Sequence, residues 1–246
     1  MKRLNTYVNE WKINDNSIKK VDNNNTAFIY HLDSTQQITI ISPSWPQFDD
    51  YYDKIYDEHG NNITINGYGR TNDYKRGTYR FFIRDIDKVK NCQWMFIGCE
   101  QLVEVPLFDT SKVETMNGMF NFCYSLENIP NFNTINVTNM EYMLQCCYKL
   151  KLIPNFNTKN VVKAGHMFAH CTTIAFTPKF DFSNMCSSIY MFDGCSNLKD
   201  IPLFDNNTNF KYVGMRNMFK GCEKLSEKTK REWSQIYDFI ENEKIK

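Results

Sequence analysis

The chain has 246 residues and a mass of 29.2 kDa; 42% of the residues are hydrophobic and 15% aromatic, and 29 basic residues face 28 acidic ones. That composition supplies a sizeable core and excludes wholesale disorder, and a net charge of +1 argues against a basic nucleic-acid-binding surface. Apolar runs such as Ile38 to Ile41 are far shorter than the ~20 residues a membrane span needs.

The first residues, Met1-Lys2-Arg3-Leu4-Asn5-Thr6-Tyr7, lead into polar sequence with no apolar core, so no secretion signal is expected, and no lipid-anchor motif is seen. This places the chain in the cytoplasm as synthesised, or on a virion. Nine cysteines without a signal favour reduced thiols over a disulfide framework.

Residues 1–77 carry no repeat and read as a small α+β cap. Leu4, Tyr7, Val8 and Trp11 make a short amphipathic helix. Thr26 to Leu32 and Gln36 to Ile41 read as strands joined at Asp33-Ser34-Thr35. Pro46 opens a second helix with Phe48, Tyr51, Tyr52, Ile55 and Tyr56 on one face, closed by Gly60. Asn62 to Asn66 and Thr78 to Ile83 are further strands around a loop punctuated by Gly67, Gly69 and Gly77.

From about residue 78 to 225 the chain repeats itself, and repeats decide the fold. Cys99, Cys123, Cys147, Cys171 and Cys195 are 24 residues apart, and Cys222 follows after 27. Met95, Met119, Met143, Met167, Met191 and Met218 keep the same register, as do Pro106, Pro130, Pro154, Pro178 and Pro202. Phe108, Phe132, Phe156, Phe180 and Phe204 form a fourth column, and Leu102, Leu126, Leu150, Ile174, Leu198 and Leu225 a fifth. Val137, Met140, Met143, Leu144 and Cys147 fall at intervals of three or four, which predicts a short helix in each unit. Ser111-Lys112-Val113-Glu114 has the capping-box pattern for the equivalent helix one unit earlier. A short strand follows each cysteine and stops at the proline. No such unit buries an apolar face alone, but stacked units do, with parallel strands ~4.8 Å apart. The expected fold is therefore an α/β solenoid of the leucine-rich-repeat type. It ends at a capping helix from Glu227 to about Asn242, with Ser226 as N-cap and Trp233, Ile236, Tyr237 and Ile240 facing the last coil.

The run from Phe108 to Phe120, with Cys123, Leu126, Ile129 and Pro130, resembles the BspA-like leucine-rich repeats of bacterial surface proteins. The same repeat is widespread in mycoplasma lipoproteins and in bacteriophage or mobile-element genes. The resemblance covers roughly Asp85 to Leu225 and implies a repeat fold, a cell-surface setting and a protein-binding role. The family's Asp-Thr-Ser-Asn-Val segment becomes Asn157-Thr158-Lys159-Asn160-Val161 here, and three extra residues lie within Asn206 to Met215.

The chemistry-bearing residues favour no enzyme. The cysteine column reads as buried small hydrophobes rather than metal ligands or disulfides. His166 and His170 have zinc-site spacing without a partner glutamate, in columns otherwise holding Gly, Tyr and Phe. Asp49, Asp50, Asp53, Asp57 and Glu58 read as a solvated acidic face, and Gly67-x-Gly69 lacks the rest of a phosphate loop. No cofactor or metal is expected. One column invites a functional reading: Glu104, Asn128, Leu152, Phe176 and Asp200, the outward strand position, changes residue at every coil. Two apolar residues between polar ones resemble an interface core with its rim. The expectation is a non-enzymatic protein-binding module, with a phage or mobile-element particle component, or an enzyme site within residues 1–80, as alternatives.

Overall fold

In a computed structural model, residues 27–181, 183–201 and 214–233 are described. The amphipathic helix expected at Leu4 to Trp11, the Pro202 and Phe204 positions and the tail beyond Trp233 lie outside these residues.

The first elements are β1 (Phe28–Leu32), β2 (Gln36–Thr39), α1 (Phe48–Tyr51), β3 (Ile55–Asp57), β4 (Arg70–Tyr74), β5 (Gly77–Ile83), a 3₁₀ turn (Ile86–Lys88) and β6 (Leu102–Glu104). A four-stranded sheet has the order β3-β5-β1-β6 with every pair antiparallel, and β2 pairs with β4 in a second, two-stranded sheet. Phe28, Tyr30 and Leu32 alternate inward along β1 and are fully buried. Residue 78 falls inside β5, whose partners are β1 and β3.

Two expectations for this region are corrected. The helix after Pro46 lasts only from Phe48 to Tyr51, and Ile55 and Tyr56 belong to β3. Tyr, Ile and Phe suit a half-buried strand as well as a helix face, and pairing with Ile83 and Phe82 of β5 decides for the strand. Asn62 to Asn66 makes only an isolated bridge at Asn62, whereas the glycine-bounded segment holds β4.

β6 is the hinge of the architecture, because its other side belongs to the repeats. Glu104 pairs antiparallel with Ile29 and bridges in parallel to Asn128 one unit later. Further parallel bridges follow at Phe176 and Asp200, and along the line Thr115, Asn139, Lys163, Ser187 and Gly214. The units therefore stack as coils, each sitting against its neighbour.

The expected short helix, and with it the Ser111 to Glu114 capping box, is absent: among the described residues no α-helix forms in the repeat, and a run of turns takes its place. In one unit the amides of Met143, Gln145 and Cys147 bond to the carbonyls of Met140, Tyr142 and Leu144, three residues back. The intervening amides of Tyr142, Leu144 and Cys146 donate to Gly165, Met167 and Ala169 of the following coil at 2.8 to 3.0 Å. A helix would bond every amide within its own segment; the turn run sends every second one to the next coil. The three-to-four spacing is preserved, and Val137, Met140, Met143, Leu144 and Cys147 are all fully buried. The periodicity located the inward side correctly but not the backbone that produces it.

Each run needs two residues with left-handed φ, four apart. They are Trp94 and Gly98, Gly118 and Phe122, Tyr142 and Cys146, His166 and His170, Tyr190 and Gly194, and Asn217 and Gly221. Bulky L-residues adopt this conformation at a cost of roughly 1–2 kcal/mol, so the stack holds them against their preference.

At the solenoid's start, Ser42 donates its amide to Met95, Trp45 its indole N–H to the Asn91 carbonyl, and the Phe28 ring lies 5.1 Å from Phe96. The first coil is thereby covered. At the far end a helix begins at 227, and the Ser226 hydroxyl accepts the Thr229 amide at 3.1 Å, the expected N-cap. Trp233 is buried against Phe219; Ile236, Tyr237 and Ile240 lie outside the described residues.

Three glycines separate strain from crowding. Gly118 has φ +59°, and an added Cβ would stand 2.5 Å from Trp94 Cδ1; Gly98 has φ +72° with open space; Gly67 has open space and no positive φ. Gly98→Ala is expected to lower stability by about 1 kcal/mol, Gly118→Ala by more, and Gly67→Ala hardly at all. Urea unfolding checks the order, and equal losses at Gly98 and Gly118 contradict it.

Candidate binding surface

Three columns of the stack carry side chains with chemical potential. The first is the thiol column. Cys123, Cys147, Cys171, Cys195 and Cys222 are buried, and each thiol lies within 3.0 to 3.3 Å of the carbonyl of Phe96, Phe120, Leu144, Phe168 or Phe192 in the preceding coil. Cys99 reaches the Ile40 carbonyl of the cap at 3.7 Å. The thiols are small apolar fillers, as expected, and also weak donors that hold one coil to the last. None of the nine cysteines is disulfide-bonded. Burial pushes these six thiols, and that of Cys92, well above the ordinary range, Cys222 to about 12.

The second column is built on left-handed residues. The His166 ring lies between those of Tyr142, at 4.9 Å and 12°, and Tyr190, at 5.0 Å and 16°. Asn217 closes the row by donating to the Tyr190 hydroxyl at 2.7 Å. Desolvation between the rings lowers the His166 pKa. His170 stands in the neighbouring column over Gly194, where an added Cβ would come 2.3 Å from its Nδ1. The two histidines thus serve different stacks, and among the described residues no group of three potential ligands could hold a metal ion. The sequence pattern alone did not reveal this row. Its signal was a column mixing Gly, Asn and His, residues that tolerate a left-handed backbone, obscured by Trp94 and two tyrosines.

The third column is the outward strand position. Glu104, Asn128, Leu152, Phe176 and Asp200 are all exposed, while the adjoining Leu102, Leu126, Leu150, Ile174 and Leu198 are fully buried. Leu152 is 74% and Phe176 61% exposed, an unusual outlay of apolar surface in adjacent coils. Lys151 pairs with Glu127 of the coil before, and the Lys199 ammonium sits 5.8 Å from the Phe176 ring centroid. Asp200 also supports the fold, since its Oδ1 accepts the Ile201 amide at 2.9 Å and the Thr229 hydroxyl, tying the last helix to the stack.

The acidic cluster does not form one site. Asp49, Asp50 and Asp53 are not buried, whereas Asp57 organises a turn by accepting the amides of His59 and Asn61 at 2.9 and 2.8 Å. Among the described residues no helix is long and apolar enough to cross a membrane.

Stacked 24-residue coils with a repeating interior and a variable outward column define a repeat protein. The pattern of a family described as "Mycoplasma protein of unknown function, DUF285" matches residues 82–178 and 153–239, more than half of the chain, and the chain belongs to that family. No curated protein matches. A solved structure that is similar is the crystal structure of the T. pallidum leucine-rich repeat protein TpLRR, at 18% identity and a TM-score of 0.38, covering 58% of this chain and 74% of that one.

The thiol column makes stability depend on alkaline pH. In the unfolded chain a thiol ionises near pH 8.5, whereas the buried thiols keep their protons. Above that pH the unfolded state binds fewer protons, so stability is full below about 8.5 and falls as pH rises. Each buried thiol contributes up to about 1.4 kcal/mol of loss per pH unit. Urea midpoints at pH 7 and pH 9.5 should differ strongly, and Cys147→Ala, though less stable at pH 7, should show a shallower pH slope. A midpoint flat between these values contradicts the account. Iodoacetamide at pH 8 should modify exposed Cys186 alone in the native protein.

Proposed function

We propose that this chain is a non-enzymatic protein-binding module of the BspA-like leucine-rich-repeat kind, with its contact centre on the outward strand column. Leu152 and Phe176 form the centre, and Glu104, Asn128 and Asp200 its polar rim.

One observation carries this reading. The inward columns repeat Met, Cys, Phe and Leu from coil to coil, while the outward column is different in each coil and places two large apolar side chains, 74% and 61% exposed, in consecutive coils. Folding gains nothing from that exposure, whereas an interface core with a polar rim does. Repeat stacks offer such surfaces because each coil contributes one position to a continuous face. The family is described as one of unknown function and assigns the chain no activity.

The double substitution Leu152→Ser with Phe176→Ser tests the reading. Both side chains point to solvent, so the thermal melt followed by circular dichroism should stay within a few degrees of the wild type. Proteins captured from host lysate by the immobilised wild-type chain should be lost from the double variant. Equal capture by the two proteins contradicts the assignment.

A further inference from the structure

Charge around the contact centre identifies the chemistry of its partner. The outward segments of the two central coils, 148–154 and 172–179, contain Lys149, Lys151 and Lys179 and no carboxylate. Lys149, Lys151 and Lys179 are exposed, as is Lys199 in the next coil. The neighbouring carboxylates are engaged or peripheral: Glu127 pairs with Lys151, and Asp200 accepts the Ile201 amide and the Thr229 hydroxyl. Lys199 is held over the ring of Phe176, so cation and apolar surface are presented together.

We propose that Leu152 and Phe176 receive an extended acidic peptide segment: apolar side chains of the segment rest on Leu152 and Phe176, and carboxylates flanking them reach Lys149 and Lys199. The inference rests on the binding function proposed above and adds the partner's chemistry. Leu152 and Phe176 hold the same position in consecutive coils, so one extended segment laid along the stack meets both. Excluding water around that contact strengthens the flanking charge pairs and makes them selective for an acidic partner. A flat anionic bilayer fits less well, because it would also meet the exposed Glu104 further along the same column, which a short segment centred on Leu152 and Phe176 does not reach.

The test selects a phage-displayed random-peptide library on the full-length protein, with counter-selection on the Leu152→Ser, Phe176→Ser variant. Recovered peptides should place Asp or Glu on both sides of Leu, Phe or Trp. Fluorescence anisotropy with a recovered peptide should show binding at least tenfold weaker for Lys199→Glu, loss of binding when the peptide's acids become lysines, and weakening with added salt. Peptides that need Leu152 and Phe176 but carry no acidic excess overturn the charge inference and leave the binding surface standing. A library yielding nothing that depends on the pair overturns both. Pair-dependent binding to phosphatidylserine vesicles, with no peptide recovered, assigns the face to a membrane and overturns the proposal.

Discussion

Every second amide of the turn run in each coil donates to the coil that follows. Phe96 donates to Met119, Phe120 to Met143, Leu144 to Met167, Phe168 to Met191 and Phe192 to Met218, each at 2.8 to 2.9 Å. Buried backbone donors must be satisfied, so no coil is complete until its successor is in place. The remaining features follow from that dependence. Two left-handed residues per unit turn alternate amides outward, and the Met, Phe and Cys side chains between them point into the shared interior. The thiols add a bond in the opposite direction, from each coil back to the one before.

The same dependence explains the cap. A first coil has nothing before it, and the N-terminal sheet fills that place with Ser42 at Met95, Ile40 at Cys99 and β1 alongside β6. Apart from Asp200, which ties down the last helix, the strand column that emerges from β6 is free of this inward work. Its side chains leave the core unchanged when they change, which is why Glu, Asn, Leu, Phe and Asp succeed one another there while Leu and Ile persist one step inward.

The repeat, its register and its buried columns were legible in the sequence because a stacked coil repeats its packing problem every 24 residues. The turn run was not. Val137, Met140, Met143, Leu144 and Cys147 have helical spacing, and consecutive four-residue turns bury the same positions. The discriminating residues were the left-handed ones, but Trp94, Tyr142 and Tyr190 in those columns hid what Gly98, Gly118 and Asn217 would have suggested. In the N-terminal region, Ile55 and Tyr56 fit a helix face locally, and only the distant partners Ile83 and Phe82 make them a strand. The outward column was found because alternation across a short strand needs no tertiary information; the lysines around it gained meaning only once the Lys199 ammonium was seen beside the Phe176 ring.

Coil-to-coil dependence is tested most directly by deletion. Removing residues 119–142, one complete unit, brings Met143 into the place of Met119 and restores every bond between successive coils; this protein should be shorter and still melt in one cooperative transition. Removing residues 119–130 leaves amides facing the wrong carbonyls and should abolish cooperative melting. Two deletion proteins that melt alike, both cooperative or both not, would contradict the account.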